Sequence, residues 1–152
     1  MQRTYIGIDP GQVGAAALIG ADGLALVEPW LGDVVAAAGL LRGWTARYRI
    51  ELAALERVAS RPGQGVASTF TFGANFGAWQ GCLAALGIPS LLPTPAQWQR
   101  GLVLPSDGPD PKARSLAVAR RLYPTIDLHR KGDHGKADAL LLAHYARHQA
   151  RG

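Results

Sequence analysis

The feature that most constrains this chain is an aspartate at the end of an apolar strand, in Tyr5-Ile6-Gly7-Ile8-Asp9-Pro10-Gly11. A lone carboxylate leaving a buried sheet has to be paired, metal-bound or solvated. Pro10-Gly11 stops the strand and leaves the backbone open beside that carboxylate. The situation recurs twice. Glu56 closes the apolar run Leu52-Ala53-Ala54-Leu55, and Asp138 sits in the Ala- and Leu-rich stretch 137–145. Acids on apolar elements, far apart in sequence, read as the ligand set of a divalent metal site.

The element order follows from turn chemistry and periodicity. Residues 4–9 read as a strand, 13–19 as its hairpin partner, and Asp22-Gly23 as the turn into a third strand at 24–27. Asp33 caps a helix over 34–48, with Val34, Ala37, Ala38, Leu41 and Trp44 on one face. A fourth strand covers 50–56. Residues 57–71 are rich in Gly, Ser, Thr and Arg without a period and read as a mobile loop. A helix over 73–86 stops at Gly87, followed by a short strand at 88–92, a helical turn carrying Trp98, and a second loop at 104–111. Helices over 111–122 and 135–149 end the order. A right-handed crossover through the first helix lays strand four parallel to strand one, so Asp9 and Glu56 are expected at one sheet edge. Ligands of open α/β sheets sit at such edges.

Composition narrows the class. A chain of 152 residues with 48% hydrophobic and 18% charged residues is expected to make one soluble domain. No apolar run reaches the roughly 20 residues that span a bilayer, and Asp9 interrupts any signal-peptide core. The lone cysteine, Cys82, with Leu83 and Leu86 beside it, reads as a core residue in a reducing compartment, so a cytoplasmic location is expected. Sixteen Lys and Arg against 11 Asp and Glu give a net charge of +5, and a basic surface rich in arginine favours a polyanionic partner. Arg57, Arg61, Lys112, Arg114, Arg130, Lys131 and Lys136 flank the acids and are candidate phosphate contacts. Phe70 and Phe72, read as loop residues, are candidates to stack on unpaired bases, with core packing as the alternative.

Oxygen ligands held by strand ends suit Mg²⁺ or Mn²⁺. His134 lies four residues before Asp138 and shares its helix face, whereas Asp133 lies five before and points elsewhere. His134 is therefore the better-placed fourth ligand, with Asp133 left open. Each residue also has a plain structural alternative. Asp9 is then a turn former, Glu56 a partner of Arg57, Asp138 a partner of Lys136 or Arg121, and His134 a neighbour of a helix cap.

With these residues in place, the chain resembles the RuvC-type Holliday junction resolvases, their phage-borne relatives in particular, over nearly its whole length. The resemblance is carried by Ile6-Gly7-Ile8-Asp9-Pro10-Gly11, Leu55-Glu56-Arg57, Gly77-Ala78-Trp79-Gln80-Gly81 through Gly87-Ile88-Pro89, Pro93-Thr94-Pro95-Ala96-Gln97-Trp98, and His134-Gly135-Lys136-Ala137-Asp138. It implies a ribonuclease H-like α/β fold in a single domain over 1–152, a mixed five-stranded sheet with a three-strand antiparallel meander and two parallel strands, and flanking helices. It also implies a homodimer that nicks four-way DNA junctions in pairs with Mg²⁺, and Asp9, Glu56 and Asp138 as metal ligands. Cellular members carry a ligand three residues before the last acid, where this chain has Gly135, and His134 is the natural substitute.

The expected dimer helix is 73–86. Its small residues Gly73, Ala74, Gly77, Ala78, Gly81 and Ala84 allow close approach, and Phe76, Trp79 and Leu83 are expected to supply buried area. Gly7-Ile8-Asp9-Pro10-Gly11 also fits the phosphate loop of actin-like and sugar kinases, but this length does not supply two nucleotide-enclosing lobes. A nuclease of the same fold acting on flaps or hybrids and a non-catalytic DNA-binding module remain as alternatives.

Overall fold

The computed structural model describes residues 1–152. Strands β1 (Arg3–Asp9), β2 (Ala15–Gly20) and β3 (Ala25–Pro29) form the expected meander. Asp22 at φ 57° and Gly23 at φ 78° make the tight turn between β2 and β3. Helix α1 (Val34–Arg47) crosses to β4 (Arg49–Leu55), and Asp33 caps it by accepting the Val35 N–H at 2.8 Å. The sheet order is β3-β2-β1-β4-β5, with β4 parallel to β1 and to the short β5 (Ser90–Leu91). Helices α2 (Val66–Ala85), α3 (Pro95–Gln99), α4 (Pro111–Leu122) and α5 (His134–Arg151) complete the chain. No helix is long and apolar enough to cross a membrane.

Strand periodicity sorts the core into two layers. Ile6, Ile8, Ala16, Leu18, Ala53 and Leu55 face α1 and α2, where Leu41, Trp44, Trp79 and Leu83 cover them. The alternate residues Tyr5, Ala15, Ala17, Ile19 and Ala54 face α4 and α5. That second face is lined with small side chains, so α5 approaches the sheet at backbone distance. A Cβ on Gly7 would come within 2.0 Å of the Ala139 carbonyl oxygen. Leu140, Leu141 and Leu142 are all 0% exposed, each contributing about 1.5–3 kcal/mol of burial.

Four sequence expectations are corrected here. The stretch 57–71 is not all loop, because α2 begins at Val66 and carries Phe70 and Phe72 in its first turns. Serine and threonine there mimic loop composition, yet the Thr71 hydroxyl donates back to the Ala67 carbonyl at 3.0 Å within the helix. The fifth strand is cut to two residues, and β2 starts at Ala15 rather than at 13, since Gly11 and Gly14 close a turn through a backbone bond of 3.0 Å. Val34 lies outside the buried α1 stripe, being 48% exposed.

Candidate active site

Alternation along the strands decides where the acids point. Asp9 follows Tyr5 and Gly7 on the α5 face of β1, and Glu56 follows Leu52 and Ala54 on the same face of β4. Ile8 pairs with Leu55 in register, and the Glu56 N–H donates to the Ile8 carbonyl at 3.1 Å. The two acids therefore leave neighbouring strands side by side. Helix α5 crosses this face and brings Asp138 to it, with His134 in the first position of the helix.

The electrostatics show the carboxylates acting on one another. Burial raises the Asp9 pKa, against the Gly11 N–H and the nearby His134, which lower it. Glu56 is pushed up to about 7 by burial and then by Asp9, while Trp98 and Arg61 pull the other way. Asp138 is raised well above the ordinary carboxylate range by burial and by Asp9, with Glu56 adding to it and Ser115 and Lys112 opposing. Three mutually repelling acids on a buried edge are unfavourable unless a cation joins them.

Two of the three carboxylates have a local hydrogen-bond partner. Asp9 Oδ1 accepts the Gly11 N–H at 3.0 Å, and Glu56 Oε2 accepts the Trp98 indole N–H at 2.7 Å. Asp138 Oδ1 and His134 Nδ1 are buried with no hydrogen-bond partner. Orphaned donor atoms beside mutually repelling acids fit a divalent cation. No group of three or more of these side chains closes on one ion-sized point. The convergence expected from sequence thus stops at a shared edge.

The alternative pairings fail. Lys136 pairs with Asp133 at 3.6 Å and Arg121 with Asp107 at 3.6 Å, leaving neither on Asp138, and Glu56 has no ion pair with Arg57. Asp133 is committed elsewhere. It accepts the Arg130 N–H at 3.0 Å and also pairs with the Arg130 side chain. Burial raises its pKa, but Arg130 and Lys136 outweigh that and hold it below the usual value. Gly135 is equally constrained, since a Cβ there would lie 2.0 Å from the Val13 carbonyl oxygen. No acid fits at that position in this backbone.

The fold is shared with solved structures over nearly the whole chain. The structure of Thermus thermophilus RuvC in complex with a Holliday junction substrate aligns over 98% of this chain and 95% of that one, with TM-score 0.68 and 19% identity. The chain has the RuvC fold. A second Thermus thermophilus RuvC structure aligns over 97% of this chain and 95% of its own, with TM-score 0.66 and 21% identity. In sequence, the chain is 37% identical over 87 residues to the chloroplastic Holliday junction resolvase MOC1 of Chlamydomonas reinhardtii. That alignment takes in 56% of this chain and 10% of the relative, so the chain spans about a tenth of the protein it matches. No protein-family model matches.

On this RuvC fold, a cleft of about 660 Å³ opens beside Glu56, lined by Arg57, Arg61, Gln64, Phe72 and Thr94 among others. Phe72 reaches the cleft from α2 and sits close to the Gly11 turn, while Phe70 is 77% exposed on the same helix. Arg57, Arg61, Lys112 and Lys131 are exposed and carry no ion pair. Arg114, Arg130 and Lys136 are engaged within the chain, Arg114 through its Nε to the Gly108 carbonyl at 2.8 Å.

Two residues at the site escaped sequence reading. Trp98 reaches Glu56 across the fold, which no local pattern announces. Ser115 is 2% exposed beside Asp138, and a hydroxyl on the buried stripe with Leu116, Val118 and Ala119 was its available signal.

Proposed function

We propose that this chain is a structure-selective endonuclease that resolves four-way DNA junctions by paired symmetric nicks, using Mg²⁺ or Mn²⁺. The observation that carries the reading is the gathering of Asp9, Glu56 and Asp138 on one buried sheet edge of a RuvC fold. The sequence similarity to a named Holliday junction resolvase supports the same substrate. In this reading Asp9, Glu56 and Asp138 hold the cation through oxygen, and His134 adds its orphaned Nδ1. A bound divalent ion there supplies polarisation of the scissile phosphate and an acidified water. Arg61 beside Glu56 and Lys112 beside Asp138 position phosphates against the acids. The test is cleavage of a synthetic four-way junction beside a flap and an RNA–DNA hybrid. Matched nicks on two opposed strands of the junction support the proposal, and preference for the flap or hybrid refutes it.

His134→Ala is expected to slow cleavage by about 10–100-fold, and His134→Asp to recover part of the rate with Mg²⁺. Rates measured with each metal check this, and a wild-type rate in His134→Ala removes the histidine from the ligand set.

Paired nicking calls for two sites, and a two-fold dimer presents them to a two-fold substrate. The face that supports a dimer differs in part from the one expected. Trp79 and Leu83 are 2% and 1% exposed inside their own core and have no area left for a partner. The open apolar face instead joins Val34, Val35 and Ala38 of α1 to Gly77, Ala78 and Gly81 of α2. Nothing lies within 4 Å of a Cβ at Gly77, so Gly77→Arg leaves the protomer intact. That variant is expected to be monomeric by light scattering at micromolar concentration and to nick only one strand per encounter. An unchanged mass distribution, with paired nicking retained, defeats this interface.

A further inference from the structure

The indole of Trp98 is the one side-chain partner of Glu56, and it comes from the short helix α3. Its Nε1–H donates to Oε2 at 2.7 Å, while Oε1 takes part in no hydrogen bond or ion pair. Trp98 itself is 1% exposed and packs into the core beneath α5.

The local build holds the ring still. Helix α3 has five residues and would not persist alone. Thr94 and Gln97 form a reciprocal capping box, and Pro95 sets the first turn. The Arg57 N–H donates to the Pro93 carbonyl at 2.8 Å, which ties the segment leading into α3 to the residue directly after Glu56. The carboxylate and its donor are thus anchored to each other through the backbone as well as through the indole.

We propose that Trp98 is a positioning residue for metal binding. By occupying Oε2 it fixes the rotation of the Glu56 carboxylate and leaves Oε1 as the oxygen offered to the cation. This rests on the metal-site reading given above. Hydrogen-bonded partners of ligating groups orient them, and losing such a partner reduces metal affinity or activity by about 10–100-fold.

The experiment uses metal binding apart from cleavage. Trp98→Phe keeps an aromatic ring in the core and removes only the donor. Mn²⁺ titration of the DNA-free protein, followed by electron paramagnetic resonance, is expected to show roughly tenfold weaker binding than wild type. Cleavage is expected to fall with it and to recover partly in excess Mn²⁺, while metal-free junction affinity stays unchanged. Asp138→Asn is titrated alongside. If Asp138→Asn loses Mn²⁺ and Trp98→Phe binds it as wild type does, the positioning role is overturned and the metal site stands. If neither variant loses Mn²⁺, the metal site itself is refuted, and this inference with it. Should Trp98→Phe fail to fold, the wild-type protein decides. Adding Mg²⁺ is expected to shift the Trp98 indole N–H resonance more than those of Trp30, Trp44 and Trp79, and an unmoved Trp98 signal overturns the role.

Discussion

Asp138→Asn is expected to lower cleavage by about a thousandfold or more, because it removes a charged oxygen from the centre that stabilises the transition state. The same substitution is expected to make the metal-free protein more stable. Asp138 Oδ1 is buried without a partner, and relieving such a charge is worth about 1–3 kcal/mol. Activity and stability thus move in opposite directions, which separates a functional acid from a structural one. Glu56→Gln follows the same logic. Its folded pKa of about 7 lies above the ordinary 4.5, so the folded protein retains a proton that the unfolded chain has released. The Glu56 contribution to stability without metal therefore falls as pH rises from about 4.5 through about 7 and is level above that, while His144, which burial lowers to about 4, contributes in the opposite sense. The Glu56 contribution amounts to about 3 kcal/mol once both steps are complete. Melting curves in a chelator at pH 5 and pH 8 check the direction, and Mg²⁺ should raise the pH 8 curve. A Glu56→Gln protein whose gain in melting temperature over wild type without metal is no larger at pH 8 than at pH 5 contradicts the raised Glu56 pKa. Retention of full cleavage in Asp138→Asn removes that residue from the catalytic set.

Gly7→Ala is expected to unfold the protein or destabilise it by about 3 kcal/mol or more. A Cβ on Gly7 meets the Ala139 carbonyl oxygen at 2.0 Å and the Ala143 nitrogen at 2.2 Å, and neither backbone atom can turn aside as a side chain would. Helix α5 would have to lift from β1, carrying Asp138 away from Asp9. Gly39→Ala is the matched control, since α1 leaves open space around Gly39 and a mid-helix alanine there should be neutral or stabilising. Thermal melting of both variants gives the comparison. Equal stability of Gly7→Ala and wild type would show that the helix does not seat on the strand at backbone distance.

The meander, the crossover and the edge shared by Asp9 and Glu56 were legible in sequence because each rests on local signals. Pro10-Gly11 ends a strand and Asp22-Gly23 makes a tight turn, and α4 starts at Pro111 where its pattern places it. The start of α2 was illegible, because Gly65 offers no side-chain cap and Ser68, Thr69 and Thr71 look like loop residues, although the Thr71 hydroxyl donates to the Ala67 carbonyl within the helix. The face that α2 buries was also hidden, since apolar residues surround the helix and only the sheet decides that Trp79 and Leu83 point in. The Glu56–Trp98 bond joins residues 42 apart in sequence, so only the folded chain reveals it. The commitment of Asp133 to Arg130 and Lys136 was likewise invisible to helical geometry alone, which had left it open as a ligand.

The seating of α5 on β1 also bears on how such a protein is made. Asp9 and Glu56 are synthesised early, and Asp138 follows only after the other four strands and helices α1 to α4 have been translated. Until the last helix docks, the face of β1 bearing Gly7 stays uncovered and the early acids lack their third partner. A growing chain that has not yet released α5 therefore carries no assembled centre. Whatever hydrolytic power the folded unit has arrives in a single step, when α5 docks, rather than accumulating strand by strand.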